Sequence, residues 1–401
     1  MRLRLRTGAT GSAQYDKPLS LLLFIYCLAL PFEEALTFSF GGILKIIGFL
    51  VVGWCIIAHY KTPIKIRKLR IVLPFLWWFI FSAVSIIWCK DYTWWWYFIK
   101  LYASQIILVL TITSYQQFVD LAYIKNGVVT GAVISAAVLA FLPTTSMLTA
   151  DGRRTMIVFG NELDPNILAA IMMIALIITA ERIIQKQNNR LLIGMAAFLL
   201  LGILLTGSRG GVISTAVGGI TYFFLSVKDR KVRRKVMLLA SAVLMAIIII
   251  FPFLPENLVG SRFTWKHLFG LDEYESGAHN RWTIWEHALP LSLNKPVFGY
   301  GCGSFFYAIA TVYRKTASHN LYVLLLIEGG LVGLSLFVAG QWRAFKTARK
   351  YRNYAVITLL LSVGVMSLTL DAISAKFFWI SLLIAILTFG DLKGSYQAQA
   401  E

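Results

Sequence analysis

Charged residues are scarce in this sequence. Of its 401 residues, 14% are charged and 58% are hydrophobic, and the mean hydropathy is +0.70. Soluble globular proteins are about a quarter charged. Apolar runs recur along the whole length, which excludes a soluble domain with a single anchor. The composition therefore predicts one polytopic, all-α membrane domain.

Cysteine is also scarce, with four residues and no close spacing between them: Cys27, Cys55, Cys89 and Cys302. This pattern excludes a disulfide framework and shows no metal motif, so no cofactor is expected. Three of the four lie in or beside apolar runs and are expected to behave as small hydrophobic side chains.

Acidic residues are half as numerous as basic ones, 19 against 38, which gives a net charge of +19. With the N-terminus inside, the excess positive charge falls on the cytosolic side, in runs such as 61–70, 228–235 and 343–352, while the outer segments balance. This asymmetry sets the topology of inner-membrane proteins. The basic runs are therefore expected to contact anionic headgroups, not nucleic acid.

A helix that crosses a bilayer needs about 20 apolar residues. The sequence predicts twelve such spans: 18–35, 42–59, 71–89, 95–113, 122–142, 165–181, 190–206, 209–226, 236–253, 319–339, 354–370 and 372–390. They divide the chain into a cytosolic tail (1–17), spans one to nine (18–253), a long outer loop (254–318), spans ten to twelve (319–390) and a second cytosolic tail (391–401).

Two features near the predicted outer surface have competing interpretations. Glu33 and Glu34 occupy the first outer turn, where they suit either a hydrated turn or a cation site. The cluster 94–97, Trp-Trp-Trp-Tyr, is typical of an interfacial aromatic belt. Because aromatic rings also stack on sugars, a glycan contact is the alternative.

Polar residues interrupt the apolar pattern at two further outer positions. Asp164 and Pro165 form a helix-start signal, and Asn166 follows inside the span, where a buried amide needs partners. Arg209 begins the eighth span between glycines. An arginine there costs about 2.5–3.5 kcal/mol on insertion scales, so we interpret Arg209 as an anion site and snorkelling to headgroups as the alternative.

The long outer loop contains a short predicted amphipathic helix over 279–289. Trp282, Trp285 and Leu289 share one face, and Arg281 lies one turn before Trp285. The helix either caps the membrane domain or lies on the bilayer and presents Arg281 to a headgroup. The following 294–303 segment is rich in glycine, which is weak support for phosphate binding.

The loop ends at His319 and Asn320, where the tenth span begins. Histidine is the side chain best suited to take and return a proton near neutral pH. A lone histidine at a helix start is more often a cap or an interfacial residue, but two arginines on the same membrane face favour a catalytic role. Glu328 lies within the same span, beside glycines that permit close helix packing. A carboxylate at that depth needs a partner or water. Asp371 and Lys376 lie between the last two spans, where they are expected to face outward and to pair with each other or with the loop.

Four short motifs occur in a characteristic order: Asp164-Pro165-Asn166, the 206–210 sequence Thr-Gly-Ser-Arg-Gly, Arg281 with the 296–301 sequence Pro-Val-Phe-Gly-Tyr-Gly, and His319-Asn320 followed by 328–330. Together with the long outer loop, they resemble the O-antigen ligase and Wzy-type polymerase superfamily of bacterial membrane glycosyltransferases. The resemblance covers about 160–335.

The resemblance implies a twelve-helix enzyme of the GT-C type in the bacterial inner membrane, with its site on the periplasmic side. Such enzymes transfer a glycan from undecaprenyl diphosphate with inversion and without a metal. It implies that Arg209 and Arg281 hold the diphosphate, that His319 activates the acceptor hydroxyl, and that Asn166 and Asn320 contact substrate. Glu328 and Asp164 are possible supporting residues.

The resemblance does not decide which molecule accepts the glycan. A ligase transfers to lipid A–core, whereas a Wzy-type polymerase adds to another lipid-linked repeat; we favour the ligase. A transporter of lipid-linked sugars and a non-enzymatic scaffold of the cell envelope are the alternatives from other classes. Transporters usually show paired repeats, and no convincing repeat between the two halves is visible.

Overall fold

The computed structural model describes residues 15–40, 42–62, 66–141, 155–186, 189–227, 234 and 277–397. Its α-helices, in chain order, are α1 (Lys17–Leu28), α2 (Glu33–Phe40), α3 (Ile43–His59), α4 (Leu73–Val84), α5 (Tyr92–Ser114), α6 (Leu121–Phe141), α7 (Pro165–Lys186), α8 (Arg190–Leu205), α9 (Arg209–Ser226), α10 (Gly277–Asn294), α11 (Phe305–Ala310), α12 (Leu321–Lys350), α13 (Tyr354–Met366) and α14 (Lys376–Gln397).

Short elements connect these helices. The 3₁₀ segments are Leu30–Phe32, Ile66–Ile71, Ser85–Ile87, Gln116–Phe118 and Ala372–Ser374. Two short antiparallel strands, β1 (Ile157–Val158) and β2 (Asn161–Glu162), lie before α7, with Ile157 opposite Glu162. The described chain is thus predominantly helical, as the sequence predicts. The predicted ninth span and the first part of the outer loop, 254–276, lie outside the described residues.

Side chains cap several helices at their first turn. Asp16 accepts from the Leu19 N–H before α1, Asp91 from Thr93 and Trp94 before α5, and Asn353 from Val356 before α13. These caps satisfy N–H groups that have no partner within the helix. Asp16 also accepts from Trp54 and His59 of α3. Burial raises the pKa of Asp16, but these hydrogen bonds outweigh that effect and lower it overall.

Four described helices, α5, α6, α7 and α12, are long and apolar enough to cross a membrane, and the bent pair Lys17–Leu28 and Leu30–Leu36 makes a fifth if it forms one span. Other apolar helices are shorter, among them α3, α8 and α13. These lengths fit a helical membrane protein.

Helix α12 is not one straight span. The backbone at Gly330 leaves helical geometry, with φ 59° and ψ −160°. Gln341 Nε2 lies 3.3 Å from the Tyr322 hydroxyl, although a straight helix would separate these residues by about 28 Å. The arms 321–329 and 331–350 therefore fold back against each other. The prediction of one continuous helix over 319–339 is wrong, because the helix is broken at Gly330.

The glycine-rich segment 296–303 fills the break in α12. The N–H groups of Leu331 and Val332 donate to the carbonyls of Pro296 and Val297, at 2.8 and 3.1 Å. In return, the N–H groups of Tyr300 and Gly301 donate to the carbonyls of Ile327 and Glu328, each at 2.8 Å. The segment thus hydrogen-bonds backbone groups that the break leaves without helical partners. These contacts give its glycines a packing role.

The predicted helix over 279–289 is part of α10, but its buried face differs from the prediction. Trp282 and Leu289 are 59% and 45% exposed, whereas Ile284, Ala288 and Leu291 are buried. The apolar stripe that packs on the bundle is therefore the 284/288/291 face, one step around the helix. Pro290 lies within α10, and the helix continues to Asn294.

Replacing Gly330 by alanine should strongly destabilise the protein. A Cβ at Gly330 would lie 2.4 Å from the Val297 carbonyl oxygen, and its positive φ disfavours any side chain. This combination of φ and ψ is adopted almost only by glycine, and it costs other residues about 1–3 kcal/mol. We expect a clearly lower midpoint of thermal unfolding in detergent.

Gly53→Ala is the matched control, because a Cβ at Gly53 in α3 would have no neighbour within 4 Å. Equal melting temperatures for Gly330→Ala and the wild type would contradict the packing of segment 296–303 in the break.

Candidate functional site

His319 lies in a tight turn just before α12. Its backbone has a positive φ of 49°, which is uncommon for a residue with a side chain. The next residue, Asn320, caps α12: its Oδ1 accepts from the N–H groups of Tyr322 and Val323, at 3.0 and 3.3 Å. The cap fixes the direction in which the chain leaves the turn. Asn320, which the sequence suggested as a substrate contact, thus has a structural role.

A buried carboxylate, Asp371, holds this turn from the other side. It accepts hydrogen bonds from the Ser318 hydroxyl and from the Asn320 N–H, the latter at 3.1 Å. Its charge also interacts with His319. Burial raises the pKa of Asp371, while the Ser318 hydrogen bond and the charge of His319 oppose that rise.

The expected pairing of Asp371 with the outer loop is found at Ser318, whereas Lys376 has a partner that the sequence did not predict. Lys376 is 2% exposed and forms an ion pair with Glu33 of α2. Sequence reasoning gave Asp371 no role. The available signal was an acidic residue in a short turn between two apolar runs, where an ionised carboxylate is costly unless it has partners.

Asn166 connects the beginnings of α7 and α9. It is 8% exposed. Its Oδ1 accepts from the Ser208 hydroxyl at 2.9 Å, and its Nδ2 donates to Asp164 at 2.8 Å. Asp164 in turn donates its backbone N–H to the Glu34 carboxylate at 2.7 Å. The amide that seemed hard to explain in an apolar span is therefore a buried link, and Asp164 supports it.

Arg209 follows Ser208 as the first residue of α9 and is half-buried. Ser208 caps the helix by accepting from the Gly211 N–H at 3.1 Å. A Cβ at Gly210 would lie 2.2 Å from the Thr369 hydroxyl. This close approach seats the start of α9 against the turn that carries Asp371, so Arg209 and Asp371 belong to the same end of the bundle.

Arg281 reaches this region through α10. The Trp285 indole N–H donates to the Ser318 carbonyl at 2.9 Å, and Arg281 lies one turn earlier on the same helix. Helix α10 is therefore attached directly to the turn that carries His319. The three residues predicted to be catalytic, His319, Arg209 and Arg281, lie on three segments that converge around this turn.

Glu328 has a different environment. It is 8% exposed, and its Oε1 accepts from the Phe305 N–H at 3.1 Å. It therefore anchors the start of α11 to the short arm of α12. Glu328 therefore supports the fold around the site. Among the described residues, no hydrogen bond joins its carboxylate to the His319 turn.

The His319 turn lies at one end of the short arm of α12 and the break at Gly330 at the other. The arm is about 13 Å long. The break is close to the connection between α4 and α5, because a Cβ at Gly301 would lie 2.6 Å from the Cys89 Cα. We call the part of the bundle near this connection its rim. The short arm leads from the rim to the His319 turn, so the site lies about one arm's length below the rim.

The recessed turn combines a histidine, a buried carboxylate beside it, and helix starts that carry arginines. Such an arrangement suits proton transfer next to an anionic group. Within the described ranges, no three His, Cys, Asp or Glu side chains are grouped to hold a metal ion.

The apolar helices are those of a helical membrane protein, and the recessed polar site lies at one end of its bundle. A protein-family model described as O-Antigen ligase matches residues 194–338. The match confirms the resemblance carried by the sequence motifs, and over this segment the chain is similar to the O-antigen ligase and Wzy-like family. The matched segment includes Arg209, Arg281 and His319 but neither Asn166 nor Asp371. No curated protein matches the chain.

Replacing Trp285 by phenylalanine should loosen the His319 turn. The substitution keeps an aromatic ring but removes the donor to the Ser318 carbonyl, and a hydrogen bond of this kind contributes about 0.5–1.5 kcal/mol. We expect faster hydrogen–deuterium exchange in the peptide that contains 318–323.

Trp282→Phe is the control, because the Trp282 indole N–H donates to Glu286 within α10 and not to the turn. Faster exchange in both variants, or in neither, would contradict the anchoring role of Trp285.

Proposed function

We propose that this protein is an inverting glycosyltransferase of the O-antigen ligase type, which moves a glycan from undecaprenyl diphosphate to lipid A–core in lipopolysaccharide biosynthesis. The reaction takes place at the periplasmic face of the bacterial inner membrane, and both termini are cytosolic. The observation that carries the proposal is the His319 turn, which is held by buried Asp371 and bonded to α10, the helix that bears Arg281. The start of α9, with Arg209, packs against Thr369 near Asp371. The family match supports a lipid-linked glycan substrate.

In this mechanism His319 is the general base. It removes the proton from the acceptor hydroxyl as the hydroxyl oxygen attacks the anomeric carbon of the donor glycan. The bond between that carbon and the diphosphate oxygen breaks on the opposite face, which inverts the configuration. A positioned base of this kind contributes about 10²–10⁴ in rate.

Asp371 is a positioning residue in this proposal. Its carboxylate accepts from the Ser318 hydroxyl and from backbone N–H groups of the turn. It therefore fixes the turn, and its charge favours the protonated imidazole that forms when His319 takes a proton. The same logic orients the histidine in hydrolase triads.

The two arginines stabilise the leaving diphosphate. A guanidinium stays charged in any protein environment and grips two phosphate oxygens at once. Arg209 also lies at the start of α9, where the helix dipole favours negative charge. Fixed cations at the leaving group provide the stabilisation of developing charge that a metal provides in other transferases, so we propose a metal-independent reaction.

The recessed position of the site suits a lipid-linked donor. The lipid tail remains in the bilayer while the diphosphate reaches the starts of α9 and α10. The outer loop 254–318, of which residues 277–318 are described, then acts as a lid that contributes Arg281 and leads into His319. The rest of the membrane domain, 18–253 and 319–390, forms the scaffold.

Replacing either arginine by lysine should abolish most activity, although the charge is kept. Lysine cannot make the forked contact with phosphate. We expect Arg209→Lys and Arg281→Lys to lower kcat/KM for glycan transfer at least about 100-fold, the scale of losing one donor to a developing anion. The measurement is transfer from a defined lipid-diphosphate donor by purified protein.

Arg182→Lys is the matched control. Arg182 is an arginine near the other end of α7, where its Nη2 donates to Asn126 at 2.6 Å. Normal transfer by both site variants at normal expression would exclude the diphosphate-binding role of the two arginines.

The product distinguishes the ligase from its relatives. Purified wild-type protein, given the same donor with either lipid A–core or a second lipid-linked repeat, should form glycosylated lipid A–core, and His319→Ala should form about 10²–10⁴ less. The readout is mass spectrometry of the lipid products.

Longer lipid-linked glycans would instead identify a Wzy-type polymerase. Movement of the donor across sealed vesicles without any new glycosidic bond would identify a transporter.

A further inference from the structure

A cavity of about 370 Å³ lies next to the His319 turn, with Ser318 and Asp371 in its wall. Its volume is within the range of pockets that hold small molecules, about 300–1,000 Å³. The other walls come from α2, the start of α5, α11 and the short arm of α12. The cavity thus adjoins the turn that carries the proposed base, with Ser318 between the cavity and His319, and neither Arg209 nor Arg281 lines it.

One wall of the cavity is aromatic. Trp94 and Tyr97, from the aromatic cluster of α5, both line it. The Trp94 ring is held by neighbours, with its centroid 4.9 Å from that of Phe306 and 5.7 Å from that of Phe98. A fixed indole is a platform on which the C–H face of a sugar ring stacks, since it offers a large apolar area at little entropic cost.

The facing groups are carboxylates. Glu33 and Glu34 of α2 line the cavity together with Asp371. Glu33 is paired with Lys376, and Glu34 accepts from the Asp164 N–H. These partners fix the carboxylates, each of which has further acceptor capacity. Carboxylate oxygens are strong acceptors for sugar hydroxyl and ammonium groups.

Carboxyl groups predominate among the charged residues of the lining, which disfavours an anionic ligand. Among the described residues around the cavity, the acidic members are Glu33, Glu34, Glu328 and Asp371, and the basic member is Lys45. A phosphate group in this space would be repelled by the carboxylates. The cavity is therefore the wrong place for the donor diphosphate, which the arginines suit.

We propose that this cavity is the subsite for the acceptor sugar, and that it takes an uncharged or amine-bearing sugar and rejects a phosphorylated one. The inference rests on the proposed function for the direction of transfer. The acceptor ring stacks on Trp94, its hydroxyl or amine groups bond to Glu33 and Glu34, and one hydroxyl extends past Ser318 to His319. Two features with open interpretations in the sequence, the Glu33–Glu34 pair and the aromatic cluster, thus form one site.

Steady-state transfer kinetics with the full-length protein test this assignment. We expect Trp94→Ala and Glu34→Gln to raise the KM for the acceptor about tenfold and to leave the KM for the lipid-diphosphate donor unchanged. Because Glu34→Gln keeps the shape of the side chain, it still tests the assignment if the Trp94→Ala variant fails to fold. An acceptor that carries a phosphate on the sugar that receives the glycan should be a poor substrate for the wild-type protein.

Trp96→Ala is the matched control. Trp96 is two residues from Trp94 on the same helix, 56% exposed and stacked on Trp95, and it does not line the cavity. An unchanged acceptor KM in both site variants, or an equal change in the donor KM, would overturn the proposal.

A binding measurement separates this inference from the proposed function. Phosphate-free core oligosaccharide, released from lipopolysaccharide and dephosphorylated, is titrated against the wild-type protein without donor, and tryptophan fluorescence is followed. We expect saturable binding that Trp94→Ala weakens about tenfold and Trp96→Ala preserves.

If this binding is found but no transfer occurs with any donor, the subsite stands and the proposed function fails. If transfer occurs but Trp94→Ala binds the oligosaccharide as tightly as the wild type, the subsite is wrong. Competition by Mg²⁺ or Ca²⁺ at micromolar concentration would show that the carboxylates form a cation site and would also overturn it.

Discussion

Backbone hydrogen bonds at the break in α12 are the constraint on which the rest of the structure depends. An apolar bundle offers no water to N–H and C=O groups, so a helix breaks there only if other protein groups bind them. At Gly330 the segment 296–303 supplies these groups by mutual hydrogen bonds with 327–332. The exchange requires close backbone contact, which explains why Gly299 and Gly330 both have positive φ and no room for a side chain.

The position of His319 follows from this break. Because α12 folds back, its short arm carries the preceding turn into the bundle instead of leaving it at the rim. There the turn meets Asp371 from the connection between α13 and α14, and α10 through Trp285. A histidine at the end of a straight span would lack these partners. The fold thus provides the recessed environment that the proposed proton transfer needs.

Two oppositely charged regions flank this turn. The starts of α9 and α10 bring Arg209 and Arg281, whereas the cavity on the other side has mostly carboxylates among its described charged residues. In a low-dielectric interior such separation strongly favours an anion on one side and disfavours it on the other. It gives a physical reason why a diphosphate donor and a sugar acceptor would approach the same histidine from different directions without exchanging places.

The sequence by itself determined the class of protein, many of the helix positions, the four motifs and the resemblance that they carry, because hydropathy, helix caps and short motifs are local properties. It also identified Arg209, Arg281 and His319 as unusual polar residues in an apolar chain. Only the tertiary structure decided that α12 is folded back, that Asn166 is a buried link, that the glycine-rich segment fills a break, and that Asp371 lies against the His319 turn. Each of these depends on contacts between residues far apart in the chain, such as Asp371 and Ser318, 53 positions apart. Local pattern carries no record of such contacts, because they are set by how the helices pack.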